Sequence, residues 1–156
     1  MKRILTAFVM VPVLIVVIGY SPPYLFTILV AMAAFMSLEE FFGIVARCGF
    51  EIYRAWGHLL AACLILSFHF SPHNQTLSLA VLTLAVFLLL ALNLKKGKDL
   101  QQAVPSSAVT ALGLIYVPVS LGLLIALQTS HTIWGEGSRW VFFLLIVVWF
   151  GDTGAY

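Results

Sequence analysis

Charged residues are scarce in this sequence. They make up 9% of the 156 residues, whereas a water-soluble domain contains about 25%. Hydrophobic residues make up 62%, and the mean hydropathy is +1.08. Because there are too few polar side chains to cover a water-facing surface, the composition excludes an ordinary soluble domain and indicates an integral membrane protein.

Metal-ligand clusters and strong positive charge are also absent from the sequence. The two cysteines, Cys48 and Cys63, have no metal-ligand spacing and are interpreted as packing residues. The four histidines include no pair at metal-binding spacing on one predicted helix and are interpreted as structural. A net charge of +2 is too small for a nucleic-acid-binding protein, so we expect no nucleic-acid partner.

Long apolar runs dominate the chain instead. Six of them approach the roughly 20 residues with which a helix crosses a bilayer core about 30 Å thick. The runs are Ile4 to Tyr20, Tyr24 to Val45, Ala55 to Phe70, Thr76 to Leu94, Ala108 to Leu127, and Trp140 to the C-terminus. Pro12 and Pro118 fall inside runs, where a kink is expected. We predict an all-α polytopic membrane bundle of about six transmembrane helices, forming a single domain over residues 1–156.

The basic residues predict how this bundle is oriented. Seven of the eight Lys and Arg residues precede span one or lie between spans two and three or four and five, and Arg139 is the exception. By the positive-inside rule, the N-terminus and the end of span six are cytoplasmic. Span one could also be read as a secretory signal. It is longer than such a signal and lacks a small-residue cleavage site, so a retained helix is predicted.

Span six ends with a charged residue, which is unexpected in an otherwise apolar transmembrane helix. In "WVFFLLIVVWFGDTGAY", Asp152 lies roughly 18 Å along the helix from Trp140, still inside the hydrocarbon. A carboxylate there costs about 2.5–3.5 kcal/mol unless it is paired or hydrated. The alternatives are a functional carboxylate and one that only reaches the interface or marks the helix end. Small and hydroxyl-bearing neighbours suit a carboxylate that holds Mg²⁺ bridged to phosphates.

Two further acidic residues lie on the cytoplasmic half of span two. Glu39 and Glu40 are adjacent and point about 100° apart, so at most one of them can face a given partner. Glu40 and Arg47 are about two turns apart and therefore share a face. One interpretation is that this pair anchors the helix at the interface. The other is that one glutamate organises a polar pocket near Asp152.

The segment "WFGDTGAY" resembles the W-x-x-D-[ST]-G-A-Y segment of phosphatidate cytidylyltransferases. The opening "KRILTAFVMVPVLIVV" is similar to that family's N-terminus, and "LEEF" resembles its acidic-aromatic step in the second span. The resemblance covers the whole chain, but only about the first half of the family's length. The family's lysine-rich loop, its longer aspartate-containing signature and its His-Gly-Gly segment do not occur in this sequence.

The resemblance implies a membrane enzyme that condenses CTP with phosphatidate to CDP-diacylglycerol and pyrophosphate, using Mg²⁺, in a bacterial inner membrane. It makes Asp152 the catalytic carboxylate and a Mg²⁺ ligand. Thr153, Gly154 and Tyr156 match the motif and are expected to support substrate binding. We expect the chain to be the N-terminal part of such an enzyme and to be inactive alone. A homodimer is left open.

Other functions fit parts of the same pattern. A CTP-dependent polyprenol or phytol kinase also couples a nucleotide to a membrane lipid. A transporter or channel subunit could use Asp152 as an ion site, but it would need a second broken span in an inverted repeat, and no repeat is visible in the sequence. A non-catalytic membrane scaffold is the remaining alternative, and it predicts that Asp152 is dispensable for lipid synthesis.

Overall fold

The computed structural model describes residues 12–19, 22–95, 100–129, 131–132 and 135–155. Within these ranges, almost all of the chain is helical, which confirms the all-α prediction. The elements in chain order are α1 (12–19), α2 (Pro23–Arg47), α3 (Arg54–Phe70), α4 (Thr76–Lys95), α5 (Leu100–Leu114), a π-helical segment (Ile115–Val119), α6 (Ser120–Gln128), β1 (His131–Thr132), β2 (Gly135–Glu136) and α7 (Gly137–Gly154). The two short strands pair antiparallel with each other.

Two helical stretches in the described residues are long and apolar enough to cross a membrane. One is Pro23–Arg47, and the other is Ala103–Gln128, which includes the π-helical segment; the apolar helix Thr76–Leu92 is shorter. The predicted count of six spans is therefore not confirmed. Span one lies only partly within the described residues, where positions 12–19 are helical. The orientation also stays a prediction.

Helix α2 packs against α3, α5, the π-helical segment and α6. It begins at Pro23, a position where proline is favoured because the missing N–H would have no intrahelical partner. Residues four apart lie on the same side of a helix, and the spacing of the α2 core residues follows that rule. They are Phe26, Val30, Ala34, Leu38 and Phe42. The regular stripe holds α2 at the centre of the bundle.

Glycines let helix α3 approach α2 and α6 closely. A Cβ atom at Gly57 would lie 2.6 Å from Cζ of Phe42 on α2. A Cβ atom at Gly122 of α6 would lie 2.6 Å from Cε2 of Phe68 on α3. Small residues at such crossings are typical of membrane helix pairs, which associate through van der Waals packing.

The turn between α2 and α3 requires a glycine. Gly49 has a φ of +86°, and its N–H donates to the carbonyl oxygen of Ala46 at 3.1 Å. Other residues pay roughly 1–2 kcal/mol for this left-handed conformation. We therefore expect Gly49→Ala to lower the free energy of unfolding by about that amount, measured by thermal unfolding in detergent micelles. Gly43→Ala is the matched control, because an added Cβ there meets no atom within 4 Å; equal losses in both variants would contradict the prediction.

The helix of span five begins at Leu100, eight residues before the predicted start at Ala108. The intervening serines do not end the helix; both are buried, and the Ser107 side chain has a hydrogen-bond partner on the neighbouring helix. Ser107 Oγ donates to the Leu89 carbonyl oxygen on α4 at 3.2 Å, and the Ser106 carbonyl accepts a hydrogen bond from Thr110 Oγ1 at 2.8 Å. Pro118, where a kink was expected, lies in the π-helical segment.

Candidate functional site

Helix α7 carries the predicted site residues. The apolar run from Trp140 to Phe150 forms most of it, but only its first half packs against the bundle. Val141 is buried, and Phe142 and Leu145 contact the core. From Ile146 to Gly154 every residue is exposed. The polar end of α7 therefore projects beyond its contacts with α6.

Asp152 lies in the last turn of α7 with an exposed side chain. Its carboxylate has no hydrogen-bond or ion-pair partner among the residues that the structure describes. The hydroxyl of Thr153 donates to the carbonyl oxygen of Trp149 at 2.7 Å. Thr153 is thus available to a ligand as an acceptor, while its proton is used within the helix. Tyr156 lies outside the described residues, so its predicted role has no structural account.

The space around Asp152 is open. An added Cβ atom at Gly151 or Gly154 would meet no atom within 4 Å, so a ligand can approach the backbone on both sides of the carboxylate. Mg²⁺ typically takes one or two protein carboxylates and completes its shell with water and substrate oxygens. Asp152 fits one of those positions. In the described part of the chain, no group of three His, Cys, Asp or Glu side chains could hold a metal ion.

Glu39 belongs to a polar cluster at the junction of α2 and α3. Nη1 of Arg54 donates to its Oε1 at 2.6 Å, and Nε2 of His58 lies 3.5 Å from its Oε2. The Glu39 and Arg54 side chains are each about half exposed, at 51% and 48%. Exposed pairs of this kind contribute about 0–1 kcal/mol. The cluster links the end of α2 to the start of α3, and no described hydrogen bond or ion pair connects it to Asp152.

The side chain of His58 packs against aromatic side chains of α2. Its ring stacks on Phe35, with centroids 5.6 Å apart and an interplanar angle of 6°. It also meets the edge of Phe42 at 5.7 Å. Nδ1 lies 2.9 Å from the carbonyl oxygen of Arg54. The sequence contained a signal for this contact, because Arg54 and His58 are four residues apart and so share a face at the start of a helix.

Glu40 and Arg47 lie on an open, accessible face along the second half of α2. This face is formed by Phe35, Met36, Glu39, Glu40, Gly43, Ile44 and Arg47. The two residues share a face, as the helical spacing predicts, but they form no ion pair with each other. Of the two interpretations of these glutamates, the polar pocket near Asp152 has no support in a described hydrogen bond or ion pair, and the interfacial anchor stays a prediction.

Comparison with known proteins identifies the family of this chain. A profile of the cytidylyltransferase family matches residues 1–156. The chain belongs to that family. The match confirms the resemblance found in the sequence, and it supports nucleotidyl transfer with CTP as a substrate. Neither the curated proteins nor the solved structures include a match to this chain.

Family membership does not assign roles to single residues of this chain. Asp152, Thr153, Gly154 and Tyr156 remain predicted site residues. Of these, Asp152 has the most suitable environment, since its carboxylate is exposed, unpaired among the described residues and flanked by open backbone. Glu39 is engaged with Arg54 and is the less suitable of the two glutamates for binding a ligand.

Proposed function

We propose that the protein acts in the transfer of a cytidylyl group from CTP to phosphatidate, forming CDP-diacylglycerol and pyrophosphate at the cytoplasmic face of a bacterial inner membrane. The carboxylate of Asp152, exposed at the end of an apolar helix and without a partner among the described residues, supports this proposal most directly. The family match and the two helices that could cross a membrane agree with it.

The reaction requires two negatively charged groups to meet. A phosphate oxygen of phosphatidate forms a bond to the α-phosphorus of CTP, and the bond from that phosphorus to the bridging oxygen of the leaving pyrophosphate breaks. Bound Mg²⁺ would reduce the repulsion between attacking and leaving groups. Asp152 would supply one ligand to this ion, and its exposed position at the end of α7 leaves it accessible to a lipid phosphate and a nucleotide.

The neighbouring residues have supporting roles in this proposal. Thr153 can accept a hydrogen bond from a bound water or ribose hydroxyl, because its own proton is donated to Trp149. Gly154 leaves the backbone open to substrate, and Tyr156 is proposed to contact it. The remaining metal ligands and phosphate-binding charges are proposed to come from other residues, with 1–156 acting as the membrane domain of the enzyme.

The position of the label in CTP separates the proposed reaction from its nearest rival. Membranes with the protein expressed from its gene, natural downstream sequence retained, are incubated with phosphatidate and CTP labelled at the α- or the γ-phosphate. We expect α-label in the lipid fraction, dependent on added phosphatidate. Transfer of γ-label to an added polyprenol or phytol would instead identify a CTP-dependent kinase, and label in neither lipid would contradict both enzymatic functions.

The purified 156-residue chain is assayed in the same way, for comparison with those membranes. We expect it to give no labelled lipid, because one carboxylate supplies only part of the charge that phosphate transfer needs. Formation of CDP-diacylglycerol by this chain alone would contradict the proposal that other residues complete the site.

A further inference from the structure

Polar groups of α2, α3 and α5 meet at one level along the bundle. Nη1 of Arg54, the first residue of α3, donates to Oε1 of Glu39 on α2 at 2.6 Å. The backbone N–H of Tyr53 donates to Oγ1 of Thr110 on α5 at 3.4 Å. Because Tyr53 and Arg54 are adjacent, the two contacts place all four residues at the same level, which we call the polar level.

The apolar segments that run from the polar level to the other end of the bundle are short. The rise of an α-helix gives roughly 24 Å along α2 from Glu39 back to its start at Pro23, and roughly 24 Å along α3 from Arg54 to Phe70. The apolar helix Thr76–Leu92 of α4 also measures roughly 24 Å. Since tilting a helix shortens its projection onto the membrane normal, these lengths are upper limits.

The long helix Ala103–Gln128 fits the same limit. It is long enough to cross a membrane, but its contact with Tyr53 puts Thr110 at the polar level. Only the part from Thr110 to Gln128 runs from that level to the other end, and it measures roughly 27 Å. Residues 103–109 lie beyond the polar level. The length of this helix therefore does not require a thicker apolar layer.

Helix α7 has an even shorter apolar segment. It starts beside the end of α6, where an added Cβ atom at Gly137 would lie 2.6 Å from the carbonyl carbon of Gln128, so α7 runs back toward the polar level. Its two charged residues are Arg139 and Asp152. Roughly 20 Å of helix separates them, so the apolar part of α7 is no longer than that.

Two tryptophans lie just inside the charged residues of α7. Trp140 follows Arg139, and Trp149 precedes Asp152 by one turn; the tryptophans are 43% and 42% exposed. Tryptophan is enriched at both interfaces between membrane and water. Residues 146–148, between the two tryptophans, are apolar and exposed. The pattern is that of a helix that reaches both interfaces over a short distance.

All of these segments are shorter than a bilayer core about 30 Å thick. Helices that are too short for a bilayer are accommodated by a thinner one, or they thin the bilayer around them. We propose that the lipid-facing surface of this bundle fits phospholipids with short acyl chains, which form an apolar layer of about 20–25 Å around it. Helices α3, α4 and α7 can cross such a layer, although they are too short for a thicker one.

A thin apolar layer also affects the candidate site. Asp152 would lie inside the hydrocarbon of a bilayer about 30 Å thick, whereas it lies at the edge of the thinner layer, where its carboxylate is hydrated and accessible to a nucleotide. The inference depends on the membrane location proposed above but not on the cytidylyl transfer reaction.

Competition between phospholipids of different chain length tests the proposal. The purified full chain is reconstituted in liposomes that contain brominated dioleoyl phosphatidylcholine and either dimyristoleoyl, dipalmitoleoyl or dierucoyl phosphatidylcholine. Quenching of tryptophan fluorescence by bromine then gives the relative affinity of each lipid. Because length mismatch has a modest cost per ångström, we expect the two short-chain lipids to bind about threefold more tightly than the erucoyl lipid.

Two results would overturn the proposal. One is equal affinity for all chain lengths, or a preference for the erucoyl lipid. The other is an absence of quenching by any brominated lipid, which would contradict the membrane location itself and this inference with it. The comparison uses the wild-type chain, so it does not depend on the folding of a variant.

Two substitutions of Asp152 test whether its charge limits the apolar layer. Asp152→Leu extends the exposed apolar run of α7 and should reduce the preference for short-chain lipids. Asp152→Glu keeps a charge at the same level and should leave the preference unchanged. Asp152 is exposed, so neither variant disturbs the core, and the melting temperatures in the same liposomes check this. An identical chain-length preference in the two variants would also contradict the proposal.

Discussion

Replacing Asp152 with asparagine is expected to reduce the phosphatidate-dependent transfer of α-label from CTP by about 100-fold or more. The substitution keeps the size of the side chain and removes its charge, so the predicted Mg²⁺ ligand becomes a neutral amide. Losing one preorganised charged contact to a phosphoryl transition state typically costs two to three orders of magnitude in rate. The measurement is kcat/KM for CTP in membranes carrying the protein expressed from its gene, with phosphatidate saturating.

The same substitution is expected to raise stability slightly. Asp152 lies in the last turn of α7, where the helix dipole places partial negative charge, and its carboxylate has no partner among the described residues. Neutralising it there should stabilise the helix by about 0.3–1 kcal/mol. Loss of activity together with an unchanged or higher melting temperature would show that the carboxylate serves chemistry rather than folding.

Asp99→Asn is the matched control for this experiment, because it makes the same chemical change at the other aspartate of the chain. We expect it to retain most of the activity. If Asp152→Asn were as active as the control, Asp152 would have no catalytic or metal-binding role, and a scaffold function would explain the chain better. A rise in KM with unchanged kcat would restrict Asp152 to substrate binding.

The helical architecture could be predicted from the sequence because apolar runs of this length have few other stable arrangements. The predicted and observed limits of span two differ by one or two residues, Tyr24 to Val45 against Pro23–Arg47. The start of the fifth helix was placed too late because Ser106 and Ser107 are polar in the sequence. Their burial depends on contacts such as the hydrogen bond to Leu89 on the neighbouring helix, which no local pattern reveals.

The position of the candidate carboxylate could also be predicted, but its neighbourhood could not. Asp152 lies at the end of an apolar helix, as the run before it indicates. The partner of Glu39 is Arg54, fifteen residues further along and across a turn. Spacing rules apply within one helix, so they favoured Arg47 as the partner of a glutamate. Pairing across the Gly49 turn depends on how α2 and α3 pack, which only the fold determines.

Gly137 is expected to be the residue on which the placement of α7 depends most strongly. It is buried at the start of the helix, and an added Cβ atom would collide with the carbonyl oxygens of Leu127 and Gln128 and lie 2.6 Å from the Gln128 carbonyl carbon. These are backbone atoms at the end of α6, and they cannot rotate away as a side chain could. Gly137→Ala must therefore separate α7 from α6.

We expect Gly137→Ala to lower the free energy of unfolding by about 1–3 kcal/mol, the usual cost of overpacking. The melting temperature in detergent should fall by about 2–4 °C per kcal/mol. Gly151→Ala on the same helix is the matched control, because its Cβ would meet no atom within 4 Å. Alanine is the better helix former by about 1 kcal/mol, so this control should be at least as stable as the wild-type chain.

A second measurement reports on the position of α7 itself. Val141 is 1% exposed in the contact between α7 and the core, so a Val141→Cys probe should be protected from thiol reagents once Cys48 and Cys63, both exposed, are replaced by serine. Adding Gly137→Ala should increase its reactivity, whereas adding Gly151→Ala should not. Equal protection in the two backgrounds would mean that α7 does not rest on the end of α6. The position of Asp152 would then have to be determined by contacts other than those at Gly137.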